Sequence, residues 1–319
     1  MDDSQMLTES VSDERAWQTG SIDDSSAWHY PLSDEFFSNT ERIIREVRCR
    51  DLPITEIFRQ GVSSNNGGEC LQPVLDALRL GRGFAIVNRV PIDGYDIEEA
   101  QSMYWMTGQY LGTPMEQNIE GTLLYDVRDT GENVTQGARF SVTNAESTFH
   151  NDNAFGEPLP DIVGLLCLRT AKSGGQSQLV SGYALHNELL ENHPDTLETL
   201  YQHFYFDRRG QFRTGESPTS HFPVFQWSRG ELTLRYLYYY IQVGHERIGE
   251  PLTEDQSSAL GIVETLLRRA DFRVEFSLQP GQMLFTNNRW ILHNRTAFED
   301  DADPALRRHY VRLWLRHRD

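Results

Sequence analysis

A mainly β fold with flanking helices, closed as a barrel or jelly roll, is the class that the sequence predicts. Eight short runs between residues 162 and 316 are apolar or alternating, at the length and turn spacing of strands. Helical periodicity gathers ahead of them and interrupts them only twice. No period repeats along the chain, which excludes a solenoid.

The elements follow in order. Residues 1–32 read as a flexible acidic arm with the aromatic anchors Trp17, Trp28 and Tyr30. Residues 33–319 read as one catalytic domain. Ser33 or Asp34 caps a helix whose inner face is Phe37, Ile43, Ile44 and Val47. SSNNGGE at 63–69 is a loop. Leu71, Val74, Leu75 and Leu78 have helical spacing, and Gly81 and Gly83 turn the chain into a strand at 84–88. Residues 96–110 form an amphipathic helix. The strand runs are 162–168, 178–180, 204–207, 223–227, 232–239, 272–278, 283–287 and 309–316. The interruptions are a helix at about 182–193 and another after Thr253, where Gln256 completes a capping box and Leu260, Val263 and Leu267 share a face.

Composition narrows the function. Hydrophobic residues make up 38% of 319, enough to build a core. No run approaches the roughly 20 apolar residues of a membrane span, and the start of the chain has no apolar leader. Nine acids against Arg15 in the first 35 residues supply −8 of the net −18. The remaining −10 argues against nucleic acid, whose partners carry a basic footprint. Three scattered cysteines suit a reducing cytoplasm. The aromatics of the arm point to packing on the chain itself or on a second subunit.

The chemistry gathers at His-x-Asp/Glu. A non-haem iron centre takes two imidazoles and a carboxylate and leaves positions open for co-substrate and oxygen. Residues i and i+2 of a strand share a side and can grip one ion. Four matches exist: His150/Asp152, His186/Glu188, His193/Asp195 and His317/Asp319. The second and third lie on or beside a helix, where i and i+2 diverge, and the fourth is at the frayed end. His150/Asp152 precedes a buried strand. A distal partner is His293 in FTNNRWILHNR, after a strand and a turn. The last strand then alternates, Arg308, Tyr310, Arg312 and Trp314 to one side, His309, Val311 and Leu313 to the other. A buried guanidinium at Arg308 suits a dicarboxylate co-substrate, with the Ser177 hydroxyl beside it. A rim salt bridge is the alternative for Arg308.

The stretches FHNDNAFGEPLPDIVGLLCLRTAKSGGQS and NNRWILHNRTAFEDDADPALRRHYVRLWLR resemble the TauD/TfdA branch of the Fe(II)/2-oxoglutarate dioxygenases, which includes the clavaminate synthase-like enzymes. The likeness covers about residues 75–316. It implies a double-stranded β-helix (jelly roll, cupin-like) core, an iron triad at His150, Asp152 and His293, and co-substrate contacts from Arg308 and Ser177. Arg312 falls on a family arginine turned to substrate or co-substrate. The implied activity uses Fe(II), 2-oxoglutarate and O2 to oxidise a C–H bond of a small polar molecule: hydroxylation first, with desaturation or ring formation as branches. Small acids, amino-acid derivatives and secondary-metabolite scaffolds all fit.

Two departures stand out. Asn294 replaces a common glycine after the distal histidine, and the long acidic spacer (Glu299, Asp300, Asp301, Asp303) lets Arg307 compete with Arg308. The intact Asp152 points to oxygenation and away from halogenation.

Residues 112–124 resemble the family segment over the site, so Gln117 and Asn118 are candidate substrate contacts, against ordinary loop bonding. Glu146 is another, against a solvated acid. Tyr236, Tyr238, Tyr239 and Tyr240 read as barrel packing, and His203, His221 and His245 as structural or surface residues. Three other functions compete, one of them a nucleic-acid demethylase, which the acidic balance disfavours. A non-catalytic binding barrel predicts a broken triad, and a zinc hydrolase or lyase has no need of Arg308 or Ser177.

Overall fold

The computed structural model describes residues 5–49, 53–56, 68–88, 90, 92, 94–132 and 140–318. Most of the expected loop at 63–69 lies outside the described residues, as does the side chain of Val47.

The chain opens with β1 (His29–Tyr30), α1 (Asp34–Arg48), α2 (Gln72–Arg79), β2 (Phe84–Val87), α3 (Ile97–Leu111), β3 (Thr113–Met115) and β4 (Leu124–Val127). Next come β5 (Ile162–Arg169), β6 (Ser173–Gly174), β7 (Ser177–Ser181), α4 (Gly182–Asn192), α5 (Pro194–Leu200), β8 (His203–Asp207), β9 (Thr219–Pro223), β10 (Phe225–Ser228) and β11 (Glu231–Leu234). The last elements are α6 (Tyr238–Ile248), α7 (Glu254–Leu267), β12 (Arg273–Phe276), β13 (Met283–Asn287), β14 (Ile291–Arg295), β15 (Phe298–Glu299) and β16 (His309–Arg316).

A seven-stranded sheet runs β1-β2-β13-β5-β16-β3, with β4 also on β16. A smaller sheet runs β12-β7-β14. This is the jelly roll that the sequence predicts. Alternation gives the large sheet two apolar faces. Ile162, Leu166, Met283, Phe285, Val311, Leu313 and Leu315 pack outward with the helices, against Tyr104, Trp105 and Met106 of α3 and Phe36 of α1. Cys167, Leu284 and Tyr310 share the other core cluster with Leu179, Val180 and Leu292 of the small sheet. Each large side chain so buried contributes about 1.5–3 kcal/mol. Gly164 lets α3 come close: a Cβ there would sit 2.5 Å from the Tyr104 hydroxyl oxygen.

Ser33 caps α1, accepting the Phe36 N–H at 3.1 Å, and the inner face begins at Phe36, with Phe37 half-buried. The capping boxes are made at Asp96/Glu99 and Thr253/Gln256. Four expectations are corrected. From residue 5 on, the arm is a docked belt. Trp17 and Trp28 are buried against Phe84, and Trp17 Nε1 donates to the Arg82 carbonyl at 2.7 Å. The run 232–239 is a strand only to Leu234; its Tyr238 and Tyr239 start α6, which packs on β8 and β9. The run 223–227 is split at Val224 between β9 and β10. The helix at 96–110 is buried nearly all round from Ser102 to Gln109, because it fills the space between α1 and the sheet. Among the described residues, no helix is long and apolar enough to cross a membrane.

Candidate metal centre

The segment ahead of β5 forms an isolated antiparallel bridge with β14. His150 and His293 face each other as antiparallel partners and exchange both backbone hydrogen bonds, at 3.0 and 2.9 Å. That pairing sets their rings 4.3 Å apart, centroid to centroid. Two residues on, Asp152 Oδ1 lies 3.7 Å from Nε2 of each imidazole. One ligand atom from each of the three falls within 4.8 Å of the others. Two imidazoles and a carboxylate sharing one centre are a donor set for a ferrous ion, so the residues fit the metal.

Buried amides hold the ligand segment. Asn151 Nδ2 donates to the carbonyls of Asn288 (2.8 Å) and Ile291 (3.2 Å), and its Oδ1 accepts the Tyr236 N–H. Asn288 Oδ1 accepts the Asp152 N–H at 2.8 Å, while its Nδ2 donates to the carbonyls of Asp152 and Pro160. Arg235 Nη1 donates to the carbonyls of Ala154 and Gly156 and fixes the exit of the segment.

Electrostatics set the protonation states. Burial, with His293 alongside, pushes the His150 imidazole down to about 3 against the pull of Asp152. It is therefore neutral. Its Nδ1 sits 2.7 Å from the Thr148 carbonyl, which can only accept, so Nδ1 carries the proton and the Nε2 lone pair faces the centre. Burial raises the Asp152 carboxyl, but Arg312 and the two imidazoles outweigh it and hold it well below the usual carboxylate range. Trp314 Nε1 donates to Asp152 Oδ2 at 2.7 Å, and Arg312 Nη1 lies 3.2 Å from both oxygens.

A cavity opens from the triad between the two sheets, and Ser177, Arg308 and Arg312 line it. Arg308 is buried, and its Nε and Nη1 find no hydrogen-bond partner among the described residues. Burial pulls its pKa below the usual arginine value. A buried cation with open N–H groups is costly until an anion meets it, so this end of the cavity fits a carboxylate. Gly174 and Gly175 turn at φ +71° and +73°, a region that favours glycine, and a Cβ on Gly175 would stand 3.5 Å from Arg308 Nε. Arg307 is exposed instead.

The substrate candidates fare differently. Gln117 lines the cavity, but its carboxamide is committed. Nε2 donates to the carbonyls of Leu123 and Arg312, and Oε1 accepts from Arg312 Nε at 2.7 Å. Asn118 closes its own loop, its Oδ1 accepting the Thr122 N–H at 2.9 Å, and does not line the cavity. Glu146 is exposed and also outside the lining. These three side chains therefore lack the geometry expected of substrate contacts. Tyr236 packs in the core with its hydroxyl on Glu264, but Tyr240 joins Phe155 and Leu237 in the cavity wall. His245 is structural, Nδ1 2.8 Å from the Glu250 carbonyl and Nε2 accepting the Tyr205 N–H. His203 and His221 are on the surface. Asn294 is buried, bridging Ser147 and Gln178 at 2.8 and 2.9 Å.

Sequence reasoning missed Trp314 and Arg295. Arg295 lines the cavity, donates to the carbonyls of Thr143 and Ala145, and shares the Phe298 ring with Arg308, at 4.7 and 5.2 Å. Period 2 had already turned Trp314 to the cavity side; nothing in the sequence tied its N–H to an aspartate 162 positions away.

Comparison with known proteins agrees with the site. Residues 56–314 match the model of the taurine catabolism dioxygenase TauD, TfdA family. FR-33289 synthase of Streptomyces rubellomurinus is 28% identical over 316 residues, 98% of this chain and 91% of that protein. L-Asparagine oxygenase of Streptomyces coelicolor is 30% identical over 180 residues, 53% of this chain and 48% of that one. Among solved structures, asparagine oxygenase with Fe(II), (2S,3S)-3-hydroxyasparagine and succinate superposes with a TM-score of 0.66 at 20% identity, over 90% of this chain and 93% of that one. The non-heme iron oxygenase OrfP with iron and α-ketoglutaric acid gives 0.60 at 16% identity, over 90% and 93%.

Proposed function

We propose roles for the residues of this site from one premise: the chain belongs to the taurine catabolism dioxygenase TauD, TfdA family and is an Fe(II)- and 2-oxoglutarate-dependent oxygenase acting on a small organic substrate. His150, Asp152 and His293 hold the iron. Arg308 and Ser177 receive the distal carboxylate of 2-oxoglutarate. When bound, the iron uses O2 to convert 2-oxoglutarate to succinate and CO2 and to oxidise a C–H bond of the substrate. The finer reading is hydroxylation of a small polar molecule. It seats against Phe155, Leu237 and Tyr240, which line the same cavity as the triad. The likeness to L-asparagine oxygenase supports a substrate of amino-acid size.

The chain's own groups do the rest. Neutral His150 presents a lone pair without first losing a proton, and Asp152 is already ionised. Arg308 supplies buried N–H groups, at Nε and Nη1, where the co-substrate's charge arrives, so binding brings an acceptor to donors that lack one among the described residues. The apolar wall keeps water from the reacting carbon. Three scattered cysteines in 319 residues support a reducing cytoplasmic setting.

One observation carries the reading: three metal ligands share a single cavity with a buried guanidinium, two of whose nitrogens have no hydrogen-bond partner among the described residues. Protein purified without oxygen is given Fe(II), 2-oxoglutarate and air, and succinate is measured. The parent should release it and His150→Ala should not. Equal succinate from both would remove the triad assignment. Candidate substrates are then ranked by how far they stimulate the release.

A further inference from the structure

We infer that Trp314 is a positioning residue that fixes which oxygen of Asp152 meets the metal, and so makes the carboxylate a one-oxygen ligand. The inference rests on the iron site proposed above. Asp152 is only 5% exposed, so each of its lone pairs must be met from within the protein. Its two oxygens have different surroundings. Oδ1 lies 3.7 Å from both imidazole Nε2 atoms, on the side where the ion binds. Oδ2 accepts the Trp314 indole N–H at 2.7 Å, a buried and charge-assisted bond. Arg312 does not choose between them, because its Nη1 stands 3.2 Å from each. The indole is thus the group that breaks the symmetry of the carboxylate.

The indole is itself held. Trp314 is 5% exposed, on a strand paired on both sides, opposite Val163 of β5 and Met115 of β3. An indole N–H donates only, so it cannot compete for the ion. Turning Oδ2 to the metal would strip this N–H of its partner in a dry place. Gln117 completes the support. It takes Arg312 Nε at 2.7 Å and the Arg312 carbonyl at 2.9 Å, which holds the guanidinium against Asp152. A carboxylate confined to one coordination position leaves the rest of the metal's face for co-substrate and oxygen.

The test reads the metal directly. Parent and Trp314→Phe are titrated without oxygen with Co(II) and Fe(II), following the cobalt d–d bands. The phenyl ring keeps most of the packing and removes the donor. Expected are a Co(II) and Fe(II) dissociation constant raised about tenfold or more and a shifted cobalt spectrum, because Asp152 is free to turn. A second variant carries 3-benzothienylalanine at position 314, which differs from tryptophan only by sulfur in place of N–H. It asks the same question with the shape unchanged. Dissociation constants within twofold of the parent and an unmoved spectrum in either folded variant overturn the inference. His150→Ala separates this from failure of the site: if it binds Co(II) as tightly as the parent, the iron reading itself falls. If it loses Co(II) while both position-314 variants behave as the parent, the iron site stands and the role of Trp314 falls.

Discussion

Arg308 brings two buried nitrogens into the cavity with nothing to donate to. Its role therefore separates into a cost in the empty protein and a gain in the loaded one. Arg308→Gln should raise the KM for 2-oxoglutarate roughly 10- to 150-fold, the equivalent of about 1.5–3 kcal/mol in hydrogen bonds to a charged group. Without co-substrate, the variant should unfold at the same urea concentration as the parent or a higher one, because an unmet buried charge has gone. An unchanged KM in succinate assays would remove Arg308 from the co-substrate site. At this scale the sequence was informative where spacing is local. His150 and Asp152 are two residues apart, and context discarded the three rival pairs. His293 was read from its place after a strand and a turn and Arg308 from the alternation of the last strand, with the likeness to known enzymes adding to both, because pairing of His150 with His293 across 143 residues leaves no trace in one sequence. Gln117 shows the converse failure. Its position over the site was legible, but its carboxamide is spent on Arg312 and two backbone carbonyls, which composition cannot reveal.

Strands in the large sheet serve two interiors at once, and period 2 decides which residue serves which. The last strand and the run at 283–287 were readable to the residue for that reason, and the run at 162–168 to within one residue. The tyrosines after Leu237 misled, because aromatic residues favour strands while local packing made a helix. The signal that was available is Gly249 in the left-handed region at φ +73°, a common helix stop, with Tyr240, Ile241, Gly244 and His245 buried at helical spacing ahead of it. The contact between α3 and β5 yields a prediction. Gly164→Val places a side chain 2.5 Å from the Tyr104 oxygen and 2.8 Å from Phe285 Cε1. It should cost about 1–3 kcal/mol in urea unfolding. A midpoint equal to the parent's would show that α3 is free to move away from the sheet.

Across the molecule, the belt ties distant parts together. Leu7 N–H donates to the Tyr201 hydroxyl, Asn187 bonds both backbone groups of Val11, and Thr19 reaches the Arg273 carbonyl at 2.7 Å. Removing residues 1–28 takes away two buried tryptophans and uncovers Phe84 and Phe276. The shortened protein should lose at least about 3 kcal/mol and melt several degrees lower by circular dichroism. A melting temperature within a degree of the parent's would mean that the belt rests on the surface without supporting it. Acidity at the start of the chain suggested looseness; the aromatic anchors in the same stretch were the better guide.

The position of β16 has a consequence for how the protein is made. The strand lies inside the large sheet, with β5 on one side and β3 and β4 on the other. It also leaves the ribosome after every other strand of that sheet. Until then β5 has a bare edge, the helices lack the row Val311, Leu313 and Leu315, and the belt waits for partners as late as Arg273. The sheet therefore cannot close until β16 has been made. During translation the nascent chain holds an open strand edge that chaperones have to shield.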